Sequence, residues 1–386
     1  MAPAAILAQL RAKRNRIVDD VAALVGCESP SSDHVALRAC AELVAELGRD
    51  LTGLTAEELV IDGRVHLCFR GGGPTQVLLL GHYDTVWPMG TLSRWPFSVS
   101  GDRATGPGIF DMKAGLAQAW HAIAALDDPT GVALLVTADE EIGSPTSRAL
   151  IEREAAGARA VLVAEASADG ALKIGRKGVS IYQVTVTGRA AHAGLDPFAG
   201  INATVEAAHQ VLAIGALGDV AAGTTVTPTI LASGQTANTV PAAATLTVDV
   251  RALHAGEQAR VDAAMHALRP ALPGARLHTD GGVNRPPLEP AAASELFRVA
   301  CDLGTAMGLP ALRGVHVGGG SDGNFTAGIG IPTLDGLGAV GDHAHAEGEW
   351  ASIAAMPDRA ALVAALIDAI RTGAAVVAGD NGADTH

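Results

Sequence analysis

Short apolar runs that each stop at polar residues recur along the first half of the chain. VLLLGHYD (77–84), VALLVTAD (132–139) and AVLVAEA (160–166) are continuously apolar before those ends. Such runs suit strands buried on both faces of a sheet. Helical spacing at 34–47, 113–126 and 145–156 fills the intervals. Together they predict an α/β sheet covered by helices, with chemistry at the strand ends. The opening MAPAAILAQLRAKRNRIVDD lacks the basic start, long apolar run and cleavage site of a leader and reads as a first amphipathic helix.

The rhythm changes after Gly178. IYQVTVTG (181–188) alternates like a strand and INATVEAAHQVLAIG (201–215) has helical spacing. TTVTPTILASG and ATLTVDVRAL follow as two strands, then GEQARVDAAMHALRP as a helix and ARLHTDGGV as a last strand. The order β-α-β-β-α-β is that of a ferredoxin-like unit. It predicts a small domain at 178–287, inserted between a first part of the larger domain at 1–177 and a second at 288–386. Helix ASELFRVACDLGTAMG and the strand-like PTLDGLG belong to that second part, and the tail after about residue 372 is expected to fray.

A length of 386 residues accommodates two such domains, and 48% hydrophobic residues supply their cores. Aromatics are only 3%, so the interior is built from Ala, Val, Leu and Ile. The formal charge of -14, with no dense Lys/Arg run, argues against a nucleic-acid partner. No uncharged apolar stretch is long enough to span a bilayer. Cys27, Cys40, Cys68 and Cys301 form no CxxC pair and read as buried thiols of a reducing compartment, so a cytoplasmic location is expected.

The polar strand ends carry the candidate chemistry. His82 and Asp84 lie two apart on a strand and so share a face, where a carboxylate can orient a metal-binding imidazole. Asp111, in GPGIFDMKAG, stands where a helix begins; it reads either as a helix cap or as a carboxylate whose two oxygens bridge two cations. Asp139-Glu140-Glu141 follows a buried strand, where three acids repel unless cations or protons neutralise them. Strand alternation would send Glu140 and Glu141 to opposite sides, one to bind metal and the other to move protons. Glu165 is a lone acid at another strand end, and His343 and His345 compete for a role in the late loop GDHAHAEGEW.

Nitrogen and oxygen ligands without thiolate suit zinc in a catalytic site. Two divalent cations bring four positive charges; Asp111, Glu141 and Glu165 offset three of them and one hydroxide the last. That balance favours a metal pair over a single ion.

With these clusters in this order, the chain resembles the zinc peptidases and deacylases of the M20 family over nearly its full length. GHYDTV, GPGIFDMKAG, ADEEIGS, AEAS and GRAAHAG carry the likeness, particularly to the glutamate carboxypeptidase (carboxypeptidase G2-like) branch. The resemblance implies one Zn²⁺ on His82, Asp111 and Glu165 and a second on Asp111, Glu141 and the late histidine, with Co²⁺ able to substitute. It implies Glu140 as general base, Asp84 as the partner of His82, and a cis peptide after Asp111. Family members commonly follow the late histidine with Glu four residues on and then an aromatic residue; His345, with Glu349 and Trp350, fits that frame and His343 does not.

In the inserted domain, His192 resembles a histidine that polarises the scissile carbonyl in the partner subunit, which implies a homodimer through this lid domain. Asn238 resembles a substrate contact. Arg251 and Arg285 are candidates for clamping a substrate carboxylate with the planar guanidinium fork, although on a strand Arg251 reads equally as a surface ion pair. Gly319 and Gly320, in GGGSD, resemble a loop that contacts the substrate backbone; the Lys-Ser/Thr ending of a phosphate-binding loop is absent. Two departures from the family pattern are Ala114, where a glycine is usual, and the polar pair Asp342-His343.

Glutamate rather than aspartate at 165 accompanies carboxypeptidases and deacylases in the family. The expected activity is cleavage of an amide bond beside a free carboxylate, releasing a C-terminal amino acid such as glutamate. The alternatives are an N-acyl amino acid deacylase with the same chemistry and a catalytically silent binding protein on the same scaffold. The absence of a GxSxG elbow argues against a serine hydrolase.

Overall fold

The computed structural model describes residues 1–373, so the part of the expected frayed tail beyond Gly373 lies outside the described residues. The chain divides into two compact units: residues 1–175 with 288–317 and the segment from Ser321 onward, and Arg176–Pro287 with Gly318–Gly320.

The first unit is built on a six-stranded sheet. Its strands are β1 (Ala56–Ile61), β2 (Arg64–Arg70), β3 (Val77–His82), β4 (Val132–Thr137), β5 (Ala160–Val163) and the short Thr333–Leu334, in the order β1-β2-β4-β3-β5 and then Thr333–Leu334. β3 runs parallel to both β4 and β5, whereas β1 and β2 form an antiparallel hairpin against β4. Alternate residues of one strand enter different cores, as the two-residue pleat requires. Val77 and Leu79 join the helices Pro3–Ala12, Arg14–Val25, His34–Thr52, Ala114–Ile123, Pro290–Met307 and Ala355–Arg371. Leu78 and Leu80 join Leu150 and Ile151 of the helix Arg148–Ala155 on the opposite face. Each fully buried leucine contributes about 1.5–3 kcal/mol, so the sandwiching of β3, β4 and β5 anchors their ends firmly.

The α/β class is as expected, with local differences. The amino-terminal pattern is two helices broken at Lys13, not one. The helix from His34 runs on to Thr52, where Gly53 ends it in the left-handed conformation. The helix Ala355–Arg371 was not anticipated because it is apolar on most sides, the mark of a helix buried all round rather than an amphipathic one. Of the strand-like PTLDGLG, only Thr333–Leu334 pairs.

The second unit has a four-stranded antiparallel sheet of β6 (Gly178–Thr187), β7 (Thr225–Ser233), β8 (Ala243–Ala252) and β9 (Arg276–Arg285), ordered β7-β8-β6-β9. Helices Ala203–Gly215 and Ala255–His266 cover one face through Tyr182, Val184, Ile214, Leu246, Val248, Val261 and Met265. Strand order and connections are those of the ferredoxin-like βαββαβ unit. Among the described residues, no helix is long and apolar enough to cross a membrane.

Candidate metal centre

Three adjacent strand ends deliver the polar side chains. In the parallel register of β3 with β4 and β5, His82 stands level with Thr137, and Leu80 with Val163. Residues 139–141 and Glu165, just past β4 and β5, therefore emerge beside His82, at the carboxyl edge where such sheets concentrate chemistry.

His82 is 1% exposed. Its Nδ1 lies 3.0 Å from the Asp84 carbonyl oxygen and 3.4 Å from Oδ1 of the same residue. Its Nε2 faces Asp111 Oδ1 at 3.3 Å and Glu165 Oε1 at 3.5 Å. The Asp84 carboxylate is itself held: Oδ2 accepts from Ser31 Oγ at 2.7 Å, and the two oxygens accept the backbone N–H groups of Glu140 and Glu141 at 3.2 and 3.3 Å. One buried acid thus ties the β3 end to the acidic turn after β4.

Asp111 does not cap the following helix, whose N-terminus has no side-chain cap. It instead ends a loop that Gly108 turns with φ 72°, a conformation that costs glycine little, and the Asp111–Met112 peptide is cis. Asp111 Oδ1 faces His82, while Oδ2 lies 3.3 Å from His345 Nε2. The same His345 nitrogen is 3.1 Å from Glu141 Oε2. His343 turns away to Asp342, at 3.5 Å. Of the two competing histidines, the fold brings His345 to the acids.

Glu140 and Glu141 were expected on opposite sides of an extended strand. They occupy a 3₁₀ turn, Glu140–Ile142, and both border His82. One ligand atom each of His82, Asp111 and Glu141 lie within 4.8 Å of one another, and so do those of His82, Glu140 and Glu165. Asp139 turns beneath the site instead, accepting from Thr146 N and Oγ1 at 2.7 and 2.6 Å and from Ser147 Oγ at 2.5 Å.

The electrostatics fit a cation pair. Burial pushes the Glu141 carboxyl up to about 7, with the charge of Asp111 adding to it. His345 is pushed up to about 11 by its hydrogen bonds to Asp111 and Glu141. Burial opposes charge on His82, yet Asp111, Asp84 and Glu165 outweigh it and hold the ring well above its ordinary value. Burial likewise opposes charge on Asp111, but the two imidazoles hold its carboxyl well below the usual range. Divalent cations held by these residues would take over the charge compensation that protons on the histidines and Glu141 supply without them. Glu141 Oε1 is buried and has no hydrogen-bond partner among the described residues, an acceptor that could serve a cation.

Glu349 is the residue whose own work the spacing did not reveal. It is fully buried, and its carboxylate accepts from Trp87 Nε1 and the backbone N–H groups of Gly108, Phe110 and Asp111 at 2.9, 3.0, 2.7 and 2.9 Å. It holds the Asp111 loop. The available signal was an acid flanked by Gly348 and Trp350, too weak to assign without the fold.

The remaining candidates lie in the second unit. His192 and Asn238 are neighbours on a small ribbon, where His192 pairs with Thr239 and Ala193 N donates to Asn238 O at 2.9 Å. His192 Nδ1 accepts from the N–H groups of Gly194 and Leu195, both at 3.1 Å, so the neutral ring carries its proton on Nε2. Arg251 forms a bidentate pair with Asp249, Nε and Nη2 lying 2.9 and 2.8 Å from the two oxygens. Arg285 is 7% exposed and ends β9. The carbonyls of Gly319 and Gly320 both accept from Arg176 Nη1 at 3.1 Å.

Comparison with known proteins places these features in a family. The chain is 34% identical over 372 residues to carboxypeptidase G2 of Pseudomonas sp. (strain RS-16), covering 91% of this chain and 88% of that one. It is 33% identical over 226 residues to succinyl-diaminopimelate desuccinylase 2 of Shewanella loihica, covering 50% of this chain and 59% of that one. An M20 family metallo-carboxypeptidase from Sulfolobus solfataricus superposes with a TM-score of 0.72 at 17% identity, over 92% of this chain and 99% of the other. A dinuclear metal binding M20 peptidase from Bacillus subtilis does so with a TM-score of 0.62 at 13% identity, over 94% and 99%. The profile of peptidase family M20/M25/M40 matches residues 78–369, from β3 to the last helix, and the chain belongs to that family of metallopeptidases.

Proposed function

We propose that this enzyme is a two-zinc carboxypeptidase that cleaves an amide bond beside a free carboxylate and releases a C-terminal amino acid, glutamate first among candidates. The observation that carries the reading is Asp111, whose two oxygens face His82 on one side and His345 on the other. Glu165 completes the first set and Glu141 the second. A zinc or cobalt pair, when bound, supplies Lewis acidity to polarise the scissile carbonyl and acidify a water.

The chain's residues do the rest. Glu140, beside His82 and Glu165, takes the proton of the attacking water and returns it to the leaving nitrogen. Asp84 keeps His82 oriented through Nδ1. His192, with its proton on Nε2, donates to the developing oxyanion, reaching the partner subunit of a homodimer. The edge strand β7, with Ile230 and Leu231 exposed, supports pairing through the lid domain. Asn238, Gly319 and Gly320 contact the substrate backbone, and Arg285 and Arg251 are the candidate carboxylate clamps, Arg251 on condition that it leaves Asp249. Four free cysteines support a reducing, cytoplasmic setting.

Likeness to a desuccinylase over half the chain supports a second reading, N-acyl amino acid deacylation by the same chemistry. A substrate panel on the zinc-loaded protein separates the two: N-acyl glutamates and dipeptides against acetylated and succinylated amino acids. Fastest turnover of the glutamate conjugates is expected. Exclusive turnover of the acetyl or succinyl compounds would select the deacylase, and absence of bound zinc by elemental analysis together with no turnover would leave a silent scaffold.

A further inference from the structure

The stretch that carries Glu140 and Glu141 leaves β4 at Thr137 and turns back at Ser144. Both of these end residues are 0% exposed. Gly143 and Ser144 take left-handed backbone in succession, at φ 91° and 58°. Glycine does so freely, whereas serine does so only where its surroundings hold it there.

Asp322, 3% exposed, is what holds it. Its Oδ2 accepts from Thr137 Oγ1 at 3.0 Å, and its Oδ1 accepts from Ser144 Oγ. One carboxylate thus closes the base of the loop 137–144. Asp322 is fixed from behind as well. Its carbonyl accepts the Phe325 N–H at 3.1 Å where the short helix Gly323–Gly328 begins. A Cβ on Gly323 would stand 2.9 Å from Val163 Cγ2, so this helix start lies tight against the last residue of β5. The preceding Ser321 donates through Oγ to Asp335 Oδ2 at 2.6 Å and through its N–H to Asn324 Oδ1 at 2.9 Å.

We propose that Asp322 is a positioning residue for the proton transfer: it clasps both ends of the loop 137–144 and so fixes where the Glu140 carboxylate stands. The inference rests on the reading of Glu140 as general base. Asp84 holds the same loop at its crest, through the N–H groups of Glu140 and Glu141. Asp139 ties it downward to Thr146 and Ser147, and its carbonyl accepts the Ser144 N–H at 2.8 Å. Asp322 differs in gripping the last strand residue and the end of the turn by side chains at once. Loss of either grip lets the loop pivot about the end of β4 without unfolding the sheet. A displacement of about 1 Å at a reacting group costs about 10²-fold in rate, so a small pivot is enough to matter.

Thr137→Val and Ser144→Ala each remove one hydroxyl from the clasp and leave Asp322 and the glycines before it untouched. Both change side-chain size little, so they keep the fold if Asp322→Ala does not. Hydrogen exchange read by mass spectrometry on the metal-loaded protein should show the amides of 138–144 exchanging about tenfold faster or more in either variant, with the rest of β4 unchanged. At saturating zinc, on the panel compound that the unaltered protein cleaves fastest, kcat should fall about tenfold or more. KM should stay within about twofold. Thr137→Ser should restore both readouts. Unchanged exchange in both variants would overturn the clasp whether or not any compound is cleaved, which separates its failure from that of the proposed reaction. Faster exchange with unaltered kcat, or a change confined to KM, would overturn the positioning role. If the unaltered protein cleaves no compound, Glu140 loses its role as base and Asp322 its positioning role with it.

Discussion

Glu349 Oε1 accepts the backbone N–H of Asp111 at 2.9 Å across 238 residues of sequence. The acid that frames His345 in the chain is thus also the buried brace of Asp111, the carboxylate proposed to bridge the metals. Glu349→Gln replaces one acceptor oxygen by an amide donor aimed at N–H groups, so the loop must shift. Metal affinity is expected to fall about 10–100-fold, measured by competition with a chelating dye, while the fold persists by circular dichroism. Unchanged affinity would mean that the brace is dispensable.

The two late histidines make a paired prediction. His345→Ala removes the nitrogen shared by Asp111 and Glu141 and should lower zinc content from two ions to one. His343→Ala, whose ring pairs with Asp342 at the surface, should leave two. Elemental analysis after exhaustive dialysis reads both.

Proton release follows from the raised values of Glu141, about 7, and His345, about 11, with His82 raised as well. In the metal-free fold each group holds its proton to higher pH than when unfolded, so its contribution favours folding at low pH and is lost as pH rises through the folded value. Cations demand the deprotonated ligands. Zinc affinity should therefore rise with pH across neutrality and weaken steeply below about 7. Calorimetry in buffers of different ionisation enthalpy should show net proton release on loading; none released would remove the histidines from the ligand set.

Glu140→Ala should keep both metals yet lower kcat about a thousandfold, since a positioned general base contributes about 10²–10⁴. Retained turnover in a fully loaded variant would end its assignment as proton carrier.

Packing behind Glu165 offers a test independent of chemistry. A Cβ on Gly115 would stand 1.9 Å from the Ala164 carbonyl oxygen, and one on Gly338 2.1 Å from the same atom. Gly115→Ala must displace either the helix Ala114–Ile123 or the strand end that carries Glu165. A loss of about 3 kcal/mol is expected, read as a lowered Tm, with weaker binding at the first metal position.

Much of this was legible in the chain because buried parallel strands leave continuous apolar runs that end abruptly at polar residues. VLLLGH, VALLVT and AVLV announced β3, β4 and β5, and the acids after them. The hairpin of β1 and β2 escaped notice, although Asp62-Gly63 joins Ile61 to Arg64 with both φ positive, the two-residue turn that Asp-Gly favours. β1 is largely exposed and charged, and β2, although buried, is short and broken by His66, so no long apolar run marks either. The orientations of Glu140 and Glu141 were misjudged for a local reason: strand alternation stops where the 3₁₀ turn begins. The second role of Glu349 was not read, because three of its hydrogen-bond partners are backbone groups, which leave no trace in residue types, and the other, Trp87, is distant in the chain.

The cluster draws on residues from His82 to His345, and the whole second unit is encoded between them. During synthesis, the strand ends with His82, Glu141 and Glu165 leave the ribosome well before His345 does, and domains generally fold as units as they emerge. A nascent chain thus carries crowded acids that lack their last imidazole until the second unit has been made. On the proposed two-cation site, loading of the second cation would be a late event of maturation, coupled to the return of the chain to its first unit.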